Sequence, residues 1–203
     1  MSIEEEIKYR EEIKMKVRNG KKITPEERIW LVTHCVYNLK MGPPYLNTDM
    51  IQMQKCKKYC VQINVESMTY PRWIIPVITV PGGKGKIEIQ NKLFDLNGKP
   101  ISKKTVKVLG ALIGLESKNI EFTYESDWGL MGVDFECEYY DAKQMLTIRK
   151  SSSVGTPDYA MIRDEVAENK IIYHCKPPTE NDFDSYVFSV KWEAVECEGN
   201  GVW

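Results

Sequence analysis

The sequence lacks any run of about eighteen apolar residues, the length at which a helix begins to span a bilayer. Its opening, Met1-Ser2-Ile3-Glu4-Glu5-Glu6, is acidic, whereas an export signal would be basic and then apolar. Both absences predict a soluble, cytoplasmic protein. Charge of one sign is missing too. With 28 basic side chains against 29 acidic ones, no net field draws the chain to nucleic acid or to an anionic membrane. The serine-nucleophile pattern G-x-S-x-G is absent. Histidine is scarce: there are two, His34 and His174, each followed directly by a cysteine. The six cysteines are even in number, but a reducing compartment keeps them as thiols, and 203 residues bury a core without disulfide staples.

What is present begins with helical spacing. Ile3, Ile7, Tyr9, Ile13 and Val17 share one side of a helix over 3 to 18, acids lead, Lys14, Lys16 and Arg18 follow, and Asn19-Gly20 stops it. In "ITPEER", Thr24 caps a second helix, Pro25 takes its first position and Glu27 completes a capping box. That helix should run to about residue 36, before "MGPPYLN" breaks it.

From about residue 58 the period changes to two. Tyr59, Val61, Ile63 and Val65 alternate with polar residues, as do Ile120, Phe122 and Tyr124, and again Tyr186, Phe188, Val190, Trp192 and Ala194. Further strands are expected at 73 to 80, 85 to 90, 104 to 115, 133 to 140, 144 to 150 and 170 to 176. Across the turn "YDAKQM", pairing Tyr140 with Met145 sets Cys137 against Ile148 and Glu136 against Arg149. "GTPDYAMIRDEVAEN" is read as a short inserted helix, capped at Thr156 and ended at Asn169. The expected fold is α+β: two N-terminal helices packed on a predominantly antiparallel β-sandwich or jelly-roll-like barrel. Residues 1–50 form the helical segment and 51–203 the β domain, within one compact unit.

Metal chemistry is the sharpest reading of the His-Cys pairs, with Cys56, Cys60, His34 and His174 as ligands of a zinc-dependent enzyme. Alternation argues against it. Neighbours on a strand point to opposite faces, and neighbours on a helix diverge by about 100°. "PGGKGK" at 81 to 86 reads as a hairpin turn rather than a phosphate nest, because a phosphate loop joins a strand to a helix. "TENDFD" at 179 to 184 lacks the glycine and terminal glutamate of a calcium loop. Asp134, Glu136 and Glu138 share a strand face that reads as solvated.

The feature that points to function is "SDWGLMGVD", a turn with apolar residues at its tip. Trp128, Leu130 and Met131, with Trp73 as a second patch, are the expected contact residues for another protein, together with the edge of the adjacent hairpin. The expected function is non-catalytic protein binding, as in an inhibitor or neutralising partner of another intracellular protein, with no cofactor. A carbohydrate- or small-ligand-binding sandwich, with Trp128 and Trp73 lining a groove, is the alternative.

Overall fold

A computed structural model describes residues 1–38, 40–81, 85–89, 92–94, 100–101, 110–112, 119–151 and 158–195. Helix α1 spans Ile3–Arg18 and opens with a full capping box: Ser2 Oγ accepts from the Glu5 amide, and the Glu5 carboxylate accepts from Ser2 N at 2.7 Å. Helix α2 spans Pro25–Thr33 and repeats the device with Thr24 and Glu27. It ends sooner than expected, because His34 is already extended (φ −116°, ψ 148°) and the chain enters β1, Val36–Tyr37.

Arg10 of α1 caps the end of α2. The side chain is buried, and Nη2 lies 2.9 Å from the His34 carbonyl and 3.3 Å from those of Leu31 and Cys35. Burial lowers its pKa, yet three carbonyl acceptors and the Trp30 ring, 5.5 Å from the guanidinium carbon, surround the cation. Lys16 of α1 also pairs with Glu27 of α2.

The rest of the described chain is mostly strand: β2 (Leu46–Gln52), β3 (Lys58–Met68), β4 (Ile74–Val80), β5 (Gly85–Ile89), β6 (Lys92–Phe94), β7 (Pro100–Ile101), β8 (Gly110–Leu112), β9 (Asn119–Ser126), β10 (Leu130–Asp141), β11 (Leu146–Ser151), β12 (Ala160–Ala167), β13 (Lys170–Lys176) and β14 (Tyr186–Ala194). Their hydrogen-bonded order is β7-β6-β5-β9-β3-β14-β13-β12-β2-β10-β4-β8, with β1 on β2 and β11 on β10. Every described pairing is antiparallel. The sheet curls into a nearly closed, barrel-like form. Tyr124 of β9 marks the closure: its hydroxyl donates to the Leu130 carbonyl at 2.7 Å and lies 3.1 Å from that of Thr79 in β4. Alternate residues such as Val61, Ile63, Phe122, Met131, Phe135, Tyr173 and Phe188 fill one continuous apolar core.

Three expectations change here. The helix expected over 156 to 169 is strand β12 where it is described, because pairing with β13 runs from Ala160–Lys176 to Ala167–Lys170, with one irregularity between Glu165 and Ala167, and gives its backbone partners on that edge. β2 was not expected as a strand, and it carries the sheet across residue 50. The β10–β11 hairpin holds Tyr140 against Thr147 and Glu138 against Arg149, two residues from the expected register. The shift follows from the turn: Asp141 Oδ1 accepts from the amides of Lys143 and Gln144, and Met145 sits at φ 54°, so pairing resumes only at Leu146. A shift of two keeps every side chain on its expected face. The glycines and lysine at 82–84, and most of 104 to 115, lie outside the described residues.

Candidate functional site

The chemistry in this molecule gathers where two strands part. β2 meets β12 at a single register pair, Leu46 with Met161, and then leaves it to pair Asp49–Gln52 with β10. The divergence opens a cleft of about 210 Å³, walled by Ile51, Ile171, Trp192 and the side chains of Arg163, Glu165 and Glu168.

Behind Arg163, outside the cleft lining, lies Asp49, a carboxylate with no exposed surface. Isolated burial of such a charge is prohibitive, so its donors decide whether the site can exist. Oδ1 accepts from Arg163 Nη1 at 3.0 Å, the Met50 amide at 2.9 Å and the Cys35 thiol at 3.3 Å, and Oδ2 accepts from the Tyr173 hydroxyl at 2.7 Å. Each donor comes from a different place: Arg163 from β12, Tyr173 from β13, Cys35 from the junction between α2 and β1. The carboxylate is thus the pin that holds β2 to β12 after their backbones separate.

Burial pushes the Cys35 thiol up to about 12, with the Asp49 charge adding to it, and pushes the Tyr173 hydroxyl well above its ordinary value for the same two reasons. Both therefore stay protonated near neutrality and donate to Asp49 rather than attack a substrate. For Arg163, burial works against the charge, but the field of Asp49, aided by Tyr173 and Glu165, outweighs it and raises the pKa. Arg163 Nη2 also pairs with Glu165. The arrangement offers fixed charge and shape, with no activated nucleophile in it.

The residues anticipated from sequence lie elsewhere. Leu130 and Met131 belong to β10 and are buried, so neither forms a surface as expected. Their cover is the chain itself: Met53 N donates to the Gly129 carbonyl, Cys56 N donates to that of Ser126, and Ser126 Oγ accepts from the amides of Trp128 and Leu130. Gly129 permits this approach, with φ 66° and space for no Cβ, which would stand 2.7 Å from the Met53 carbonyl. Trp128 and Trp73 are half-buried. Of the acidic face, Asp134 is buried, while Glu136 and Glu138 are half-exposed.

His34 stacks on Trp30 with ring centres 4.3 Å apart, and its Nδ1 donates to the Trp30 carbonyl at 3.0 Å. His174 faces Asp184, Nδ1 to Oδ1 at 2.6 Å, while Cys175 points into the core. Cys56 occupies an exposed turn and Cys60 lies half-buried on β3. Among the described residues, no three His, Cys, Asp or Glu side chains gather as a metal site.

Sequence reasoning missed Asp49, Arg163, Glu165, Glu168 and Tyr173 as a group and treated Trp192 only as a strand residue. "LNTD" reads as turn chemistry, and Arg163 was hidden inside the expected helix. A usable signal was Asn169, which suits a two-residue hairpin loop as well as a helix end. Compared with known families, curated proteins and solved structures, the chain matches none. Among the described residues no helix is long and apolar enough to cross a membrane.

Proposed function

We propose that this chain is a non-catalytic protein-binding module of the cytosol, an inhibitor or neutralising partner of another protein, and that it grips its partner at the cleft between β2 and β12. In this reading the curled sheet works as a two-layer sandwich with both helices packed on it. The observation that carries the reading is the size of the cleft, about 210 Å³, beside an Arg163 side chain held in place by Asp49. Pockets for whole small molecules usually run to about 300–1,000 Å³. A cavity of about 150 Å³ holds a benzene ring, so this one suits a single large side chain presented on a protein surface. The β10–β11 hairpin tip adds apolar contact area in Tyr140, Met145 and Leu146, of which Met145 is 78% exposed.

The test is affinity capture from the native host with three baits: the unaltered chain, Trp192→Ala and Met145→Lys. The reading expects one protein that the unaltered bait retains and the Trp192→Ala bait loses, with both baits melting within a few degrees of each other. Met145→Lys should weaken the same capture. Equal recovery by all three baits would exclude the cleft and the hairpin as the contact region.

A further inference from the structure

Resting on that reading, we infer that the group received by the cleft is a cation, the ammonium and alkyl stem of a lysine side chain on the partner. Charge decides this first. Arg163 is shared by two carboxylates, Asp49 at 3.0 Å and Glu165, and Glu168 adds a third negative charge to the cleft wall, so among the described residues the site is negative on balance. Glu165 shares Arg163 with Asp49, and Glu168 has no ion pair among the described residues. An anion entering here would meet two like charges, and a neutral group would leave that field unused. The walls decide the rest. Trp192 supplies an aromatic surface that attracts a cation, and Ile51 and Ile171 supply apolar surface for a methylene stem.

The geometry also rules against a mobile, self-filling site. Among the described residues Arg163 is the one cation lining the cleft, and its ion pairs with Asp49 and Glu165, with the Tyr173 hydroxyl donating to Asp49, hold its side chain in place. The backbone of Trp192 is tied to the β12–β13 turn, its amide donating to the Asn169 carbonyl at 3.0 Å, and its partly buried side chain packs against the core. A pocket already formed loses little entropy on accepting a side chain.

Three probes test the idea by following the Trp192 indole N–H resonance, assigned with Trp192→Phe. They are Nα-acetyl-lysine-N-methylamide, its neutral analogue Nα-acetyl-norleucine-N-methylamide, which lacks the terminal nitrogen, and free n-butylammonium. The lysine derivative should bind about tenfold more tightly than the norleucine derivative at low salt, and the difference should shrink at high salt. Glu165→Gln with Glu168→Gln should erase the difference; both positions are exposed, so the fold is kept. Norleucine binding as tightly as lysine would overturn the cation inference and leave the cleft as a protein contact. n-Butylammonium, the lysine side chain alone, should match the lysine derivative; if it failed where the lysine derivative bound, recognition would lie in the peptide groups and the side-chain inference would fall. Silence of the Trp192 signal with every probe would overturn the inference.

Discussion

A carboxylate without exposed surface tells more about Asp49 than its place in "LNTD" does. Its four donors are worth having only together, because removing the acceptor strands an arginine and a tyrosine hydroxyl in a site that water enters poorly. Asp49→Ala is therefore expected to destabilise the fold by about 3 kcal/mol, toward the low end for buried ion pairs because the Arg163 side chain keeps 33% of its exposure. The double variant Asp49→Leu with Arg163→Met leaves no buried charge uncompensated, since Glu165 is exposed, and should recover a large part of that loss. Urea denaturation of the three proteins measures both values, and a double variant less stable than Asp49→Ala alone would show that the pair is not coupled as its geometry demands. None of this was legible from the residue alone. An aspartate after asparagine and threonine has the composition of a solvated turn, and only the strands that come together around it reveal the donors.

At the scale of elements, the parts that could be read were those whose local signals and tertiary partners agree. Both helices carry caps that work within three residues, and β14 alternates apolar and polar side chains from Phe188 to Ala194. β12 fails that test. Thr156, Pro157 and Asn169 offer helix signals, yet a helix would leave β13 without a neighbour on one side, and pairing prevails. The β10–β11 turn was misplaced for a smaller reason: nothing in the identity of Met145 announces a left-handed backbone. A methionine at φ 54° carries about 1–2 kcal/mol of backbone strain that glycine does not. Since its side chain is 78% exposed, Met145→Gly loses almost no packing. The expected outcome is a gain of about 0.5–1 kcal/mol after the extra freedom of glycine in the unfolded chain is subtracted. Differential scanning calorimetry should show it as a melting temperature raised by about 1–4 °C.

Across the whole molecule, the sheet order could not be read from the sequence because the curl depends on β2, which joins β12 at one end and β10 along the other. The two helices are tied to each other by polar contacts, and along α1 Ile13 is buried, whereas Met15 and Val17 are about half exposed. Arg10 reaches across to the end of α2, and Lys16 pairs with Glu27. The second contact makes a pH prediction. Glu27 is held below the ordinary carboxylate range, first by the Lys16 hydrogen bond and then by the Thr24 amide, while the same hydrogen bond raises Lys16. A depressed carboxylate stabilises the fold above its unfolded pKa of about 4.3 and loses that effect as pH falls through the lower folded value. A raised lysine stabilises below its unfolded pKa of about 10.4 and loses that effect as pH climbs through the higher folded one. Glu27→Gln keeps a carbonyl oxygen for the Thr24 amide and removes the charge that Lys16 needs. The unaltered chain should thus melt above Glu27→Gln across the plateau between those two limits, with the gap closing at acid pH below the folded pKa of Glu27 and again at alkaline pH above that of Lys16. Melting curves of both proteins from about pH 3 to pH 11 would trace it, and a gap that persisted at the acid end would assign the role of Glu27 to its cap alone.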